Sequence, residues 1–155
     1  IKSLNLHHHV DVLNIEFVVF GSSEPKNSQN FGFKTHYLGH LHDDVSLVTL
    51  YNAVDIMIVP SIQEAFGQTA SEAMACGTPV VAFGCTGLLD IIDHKKNGYL
   101  AKPFDTTDLK DGIEWILNNE RSNELRQNAR EKVVREFDSA VVAKKYIELY
   151  EGIIK

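Results

Sequence analysis

The sequence predicts an α/β fold, a Rossmann-like parallel sheet with helices on both faces. Three observations carry that prediction. Short runs rich in β-branched and aromatic residues alternate with longer stretches of helical period. The short runs are largely apolar, as strands covered on both faces are. Gly21, Gly39 and Pro60 stop three of them in turn.

In chain order, residues 15–20 (IEFVVF) read as a buried strand ended by Gly21. Residues 24–32 are polar, contain Pro25 and form a loop, and 35–38 make a short strand before Gly39. From 43 to 52, the spacing of Val45, Val48 and Leu50 with Tyr51 predicts a helix capped by Asp43 or Asp44. Residues 55–59 (DIMIV) form the next buried strand. A helix follows over 68–76 and ends at Gly77, then a strand over 79–83 (PVVAF). A short helix over 88–92 and a strand over 98–101 (GYLA) complete the alternation. The rest is helical. Over 105–117, Asp105 is the N-cap, Asp108 supports the first turn, and Leu109, Ile113, Ile116 and Leu117 share a face. Helices over 123–137 and 139–154 close the chain.

Composition narrows the function. The 155 residues suffice for one domain with a single core. At 44% hydrophobic and 23% charged, the chain is ordinary for a soluble globular protein. A net charge of −6 argues against nucleic acid as the main partner. Cys76 and Cys85 lack metal-ligand spacing and read as reduced core residues of a cytoplasmic protein. No apolar run approaches a membrane span, and the start does not look like a signal peptide. Because the first residue is Ile1, the chain is expected to be a piece of a longer polypeptide. There is no G-x-G-x-x-G, Walker lysine or G-x-S-x-G, so dehydrogenase, NTPase and hydrolase readings lose their main warrant.

In parallel α/β sheets, ligands bind at the carboxyl ends of strands, near helix N-termini. The loop after strand 55–59 runs Pro60-Ser61-Ile62-Gln63-Glu64-Ala65-Phe66-Gly67 into the helix holding Glu72. It sets two carboxylates eight positions apart, with Gly67 between them to let backbone approach a ligand. The N–H groups of Gln68 and Thr69 at the helix start suit a diphosphate.

This segment resembles the retaining GT-B glycosyltransferases of the large E-x7-E class. Glu64 and Glu72 give the spacing, within P-S-x-x-E-x-F-G and then E-A-M-A-C-G-T-P-V-V-A. The loop Gly84-Cys85-Thr86-Gly87-Leu88-Leu89-Asp90 is similar to the family's G-G-x-x-E, and Asn97-Gly98-Tyr99-Leu100 to its N-G-x-L strand. The resemblance spans roughly residues 13–118. It implies that the chain is the C-terminal, nucleotide-sugar-binding half of a GT-B fold, with the N-terminal acceptor domain absent. The whole of 1–155 is then one donor-binding domain, with a C-terminal helix over 139–155 that crosses back toward the absent domain and carries an apolar stripe expected to lie exposed.

By the same resemblance, Glu72 accepts hydrogen bonds from the donor's ribose hydroxyls. Glu64 is the catalytic carboxylate facing the sugar, where it favours positive charge at the anomeric carbon. Amides at Phe66 and Gly67 face sugar hydroxyls, those near Gln68 and Thr69 the diphosphate, and Gly87 belongs to the donor site. The implied reaction is transfer of a sugar from a nucleotide diphosphate to a hydroxyl acceptor with retention, in polysaccharide or glycoconjugate biosynthesis. The leaving phosphate helps take the acceptor proton, and no metal or cofactor is expected. Peripheral membrane contact through the absent domain fits such a setting. Two alternatives remain at this point: a nucleotide-sugar epimerase of GT-B-like fold, or a non-catalytic nucleotide-sugar-binding module.

The sequence departs from the family pattern in three ways. Thr86 stands where the first glycine of the usual pair would be, and its β-branch is expected to restrict the loop. Asp90 replaces the usual Glu. No segment before Val10 supplies the family's first strand with its Gly-rich loop, Arg and Lys, so the isolated chain is expected to be inactive. In the order 3-2-1-4-5-6 that strand is central. The gap is expected to close, or to be filled by another chain or an N-terminal segment.

Other residues invite weaker readings. His7, His8 and His9 cannot converge on one ion from successive helix positions and read as a surface cluster. His40 and His42 read as loop polarity, and His36 and Tyr37 fit either strand packing or a base pocket. Phe66, Met74 and Trp115 read as core or loop anchors.

Overall fold

The computed structural model describes residues 15–26 and 32–154. Five strands and six helices alternate among them: β1 (Glu16–Val19), β2 (Lys34–Tyr37), α1 (Asp44–Ala53), β3 (Met57–Val59), α2 (Gln68–Ala75), β4 (Val80–Phe83), α3 (Leu88–Ile91), β5 (Gly98–Ala101), α4 (Thr106–Leu117), α5 (Ser122–Phe137) and α6 (Ser139–Ile153). Every strand pair is parallel, as the alternation requires.

β4 shows why the strands are apolar. All four of its residues are buried, and alternate side chains serve opposite faces. Val80 and Ala82 join a core with Tyr51, Ala70, Met74, Ile91 and Val133, under α1, α2 and α5. Val81 and Phe83 join a second core with Tyr99, Leu109, Ile113 and Ile116, under α4. The sheet is thus covered on both sides.

The sheet is also split. Among the described residues β1 pairs only with β2, while β3, β4 and β5 form a separate run. A slot of about 1170 Å³ lies between them, bordered by Val18 and Phe20 on one side and Ile58 and Val59 on the other. The order is that of a six-stranded doubly wound sheet without its first strand. The gap does not close among the described residues. One bridge across it is aromatic: Phe20 meets Tyr51 edge-on at 5.9 Å.

Two expected strands are corrected. The strand expected over 15–20 is only half-buried rather than buried, because no strand among the described residues lies along its second edge. The strand expected over 55–59 begins at Met57. Arg126 of α5 donates to the carbonyl oxygens of Val54 and Asp55 at 3.5 and 3.4 Å, so backbone that would extend the strand serves the arginine instead.

The predicted face of α1 is also corrected. Val45 and Val48 are exposed, whereas Leu50 and Tyr51 are buried and Leu47 packs beside them. Positions 47, 50 and 51 make the stripe, at the i, i+3, i+4 spacing of one helix face. Asp43 is the cap and accepts from Ser46 N at 2.8 Å. Asp105 caps α4 as expected, accepting from the amides of Thr107 and Asp108. α2 ends at Cys76 and turns at Gly77, and Arg130 donates to the Ala75 carbonyl there, a cation at a helix C-terminus. Both cysteines are free and half-buried. α6 buries none of its residues, and Tyr146, Ile147, Leu149, Tyr150 and Ile153 are exposed along it.

Candidate functional site

Val59 is buried at the end of β3, and from Pro60 the chain leaves the sheet in a loop that ends at Gly67. Gly67 is the N-cap of α2 at φ +98°, a conformation that glycine adopts readily and other residues avoid. Having no side chain, it supplies no cap, so no capping group takes up the amides of Gln68 and Thr69 in the first turn. A Cβ at Gly67 would lie 2.7 Å from Leu88 Cδ2.

A second loop, 84–87, lies against the first. Glu64 is held on both sides of its Cα: its N–H donates to Thr86 Oγ1 at 2.9 Å, and its carbonyl accepts from Gly87 N at 3.1 Å. Cys85 Sγ donates to the Ser61 carbonyl at 3.4 Å. The approach is so close that a Cβ on Gly87 would come within 2.6 Å of Phe66 Cα. It would also lie 2.7 Å from the carbonyl oxygens of Ala65 and Phe66. Thr86 reaches this arrangement at φ +41°, backbone that costs a non-glycine residue on the order of 1–3 kcal/mol. The β-branch was expected to restrict the loop. Instead Thr86 takes the strained conformation and its hydroxyl closes the clasp.

Glu72 lies one turn along α2 from Gln68. Gln68 Nε2 donates to its Oε1 and the Tyr51 hydroxyl to its Oε2, each at 3.0 Å. Burial first, and the adjacent Glu72 carboxylate second, push the Tyr51 hydroxyl far above the ordinary phenol range, which makes it a permanent donor. A carboxylate has about four lone-pair positions, so these two bonds leave about one free on each oxygen.

The remaining expected residues fall around these two centres. Glu64 and Thr69 both border the slot between β1 and β3. Glu72 is not part of that border; it reaches the slot through Tyr51, which is. Phe66 packs edge-on against Phe137 at 5.2 Å and anchors the loop to the end of α5. Gly87 commits its N–H to Glu64, so its role is close approach rather than donation. Met74 is buried in the first core and Trp115 packs against the second. His36 Nε2 lies 2.6 Å from Glu16 Oε2 on the neighbouring strand, which favours the strand-packing reading. His40 and His42 stack on each other at 6.0 Å. His7, His8 and His9 lie outside the described residues. Among the described residues no three His, Cys, Asp or Glu are grouped to hold a metal ion. No helix among them is long and apolar enough to cross a membrane.

Two residues of this site escaped the sequence reading in their roles. Tyr51 was counted only as an apolar helix position, although a buried tyrosine hydroxyl nearly always finds a partner. Thr86 was noticed only as a departure from a glycine pattern.

A doubly wound parallel sheet with clasped loops at its strand ends and a glycine-capped helix behind them defines an α/β domain of the Rossmann-like, ligand-binding kind. The comparisons with known proteins agree and specify it. The profile of Glycosyl transferases group 1 matches residues 3–132, and the chain belongs to that family. It is 33% identical over 121 residues to the N,N'-diacetylbacillosaminyl-diphospho-undecaprenol alpha-1,3-N-acetylgalactosaminyltransferase of Campylobacter jejuni, covering 77% of this chain and 31% of that protein. Sucrose-phosphate synthase from Thermosynechococcus elongatus superposes with a TM-score of 0.76 at 30% identity, over 88% of this chain and 38% of that one. Anabaena HepE in complex with UDP-glucose gives 0.68 at 26% identity, over 77% and 32%. The chain spans 30% to 39% of the length of the first curated relatives it matches.

Proposed function

We propose that the protein carrying this chain transfers a hexose from a nucleotide-diphosphate donor to a hydroxyl acceptor with retained configuration, in polysaccharide or glycoconjugate biosynthesis. This chain holds the donor. The carrying observation is the unit 60–72, in which one carboxylate is clasped at its backbone and a second is fixed with acceptor capacity to spare. A relative solved with UDP-glucose supports the choice of ligand class.

In this reading Glu72 accepts from the two adjacent ribose hydroxyls with the lone pairs that Tyr51 and Gln68 leave. The amides of Gln68 and Thr69 and the positive end of α2 face the diphosphate. Amides at Phe66 and Gly67 face sugar hydroxyls, and Glu64 favours the positive charge that develops at the anomeric carbon as the phosphate departs. The departing phosphate oxygen takes the acceptor proton. Cations for the leaving diphosphate come from outside this chain, so residues 1–155 alone bind donor without turnover. The route calls on no metal.

Isothermal titration of the full-length protein against UDP-, GDP- and ADP-sugars tests the assignment. Glu72→Ala is expected to weaken nucleotide binding at least tenfold, since two hydrogen bonds to a charged group contribute about 1.5–3 kcal/mol each. Tyr51→Phe, which frees Glu72 without removing it, should weaken binding by a smaller factor, roughly threefold. An unchanged dissociation constant for Glu72→Ala would remove the ribose role.

A further inference from the structure

Thr86 sits at φ +41°, where a β-branched residue is strained and glycine would not be. Its side chain offers a reason. The hydroxyl accepts the Glu64 amide at 2.9 Å, while the next residue, Gly87, donates to the Glu64 carbonyl at 3.1 Å. The peptide groups before and after Glu64 are therefore both fixed by one neighbouring loop. Only the Glu64 side chain retains rotational freedom, and that residue borders the slot at the carboxyl end of β3. Removing the hydroxyl releases one side of this clamp and leaves Glu72, Tyr51 and Gln68 untouched, because their bonds involve neither loop 84–87 nor Glu64.

We infer that Thr86 is a positioning residue that aims the Glu64 carboxylate at the donor's sugar, so that the gain in affinity from nucleotide to sugar nucleotide depends on its hydroxyl. The inference rests on the proposed function of Glu64. The nucleotide end of the donor, read by α2, is indifferent to it.

The experiment compares affinity for a nucleotide with that for its sugar nucleotide in the full-length protein. The pair is the one bound most tightly among UDP and UDP-glucose, GDP and GDP-mannose, and ADP and ADP-glucose. Turnover is measured alongside. Thr86→Val keeps the shape and removes the acceptor. It is expected to leave nucleotide affinity unchanged while the sugar-nucleotide advantage and kcat fall about tenfold. Thr86→Ser should restore both. Thr86→Gly relieves the backbone strain, so it remains informative if the valine variant fails to fold, and it should show the same loss. Glu64→Gln is the reference. If Glu64→Gln lowers the sugar advantage and the Thr86 variants do not, or if serine fails to rescue, the positioning role is overturned while the proposed function stands. If Glu64→Gln itself changes neither quantity, or if no pair binds, the reading of Glu64 fails and this inference fails with it.

Discussion

Gly87→Ala is expected to abolish donor binding and to destabilise the fold by about 3 kcal/mol, because the added methyl group meets backbone that cannot yield as a side chain would. Its three nearest neighbours are Phe66 Cα, the Ala65 carbonyl oxygen and the Phe66 carbonyl oxygen, all within 2.7 Å. Relief requires the two loops to separate. Separation breaks the Gly87–Glu64 bond and disturbs the Thr86 contact, and it displaces Phe66 and with it Gly67, the N-cap of α2. Thermal melting should show a midpoint lowered by roughly 6–12 °C, and titration with the sugar nucleotide should show no binding below the concentration that saturates the unmodified protein. An alanine variant that melts and binds like the parent would mean that the clasp is not a feature of the folded protein. Gly67→Ala makes an informative comparison. There the clash is with the flexible end of Leu88, so strained backbone at φ +98° accounts for more of the cost.

The second large effect concerns the split sheet. A polypeptide that supplies one further parallel strand between β1 and β3 should be stabilised by roughly 5 kcal/mol. Each buried aliphatic side chain contributes about 1.5–3 kcal/mol against about 1–2 kcal/mol per residue of backbone ordering, and both edges gain hydrogen bonds. In a doubly wound sheet such a strand runs parallel to both neighbours, as β1 and β3 do to their own partners. A parallel connection needs a crossover of about a dozen residues or more, and residues 1–15 provide that length. A valine- and isoleucine-rich segment joined ahead of Ile1 should therefore slow amide exchange at Val18 and Ile58, whose neighbours Val19 and Met57 turn their backbone groups to β2 and β4 instead, and raise the melting midpoint by 10 °C or more. It should also reduce self-association, because an open pair of strand edges is a template for pairing between copies. Unchanged exchange at those two amides would show that the slot does not accept a strand.

Much of this architecture could be read from local pattern, and the failures have local causes. β4 was legible because PVVAF is apolar, bounded by Gly77 and Gly84, and buried on both faces. The split was legible as an absence, since nothing before Val10 reads as a strand with a Gly-rich loop. The phase of α1 was not. Val45 with Val48, and Leu47 with Leu50 and Tyr51, both satisfy helical spacing, and only α2 packing on one side decides between them. The start of β3 was misplaced because residues 55–59 run on without a break signal, while an arginine some seventy positions later claims the carbonyls of Val54 and Asp55. In the site, the Glu64–Gly67–Glu72 spacing was visible as a motif. The partners that hold each carboxylate were not, because Tyr51 lies 21 positions before Glu72 and Thr86 lies 22 positions after Glu64. Hydrogen bonds of that span depend on how strands stack in the sheet, which no periodicity encodes.

Asp138 is the end of α5 and also the cap of α6, accepting from Ala140 N, so a single residue joins two long helices. Its backbone, at φ −55° and ψ 139°, sets the bearing of everything beyond it. At ~1.5 Å per residue, the 15 residues of α6 make an arm of roughly 22 Å, and a swing of about 10° at that pivot would carry its tip by roughly 4 Å. A change of torsion at one aspartate thus steers a whole stripe of tyrosine and isoleucine through space without touching the hydrogen bonds that hold Glu64 and Glu72, none of which involves α6.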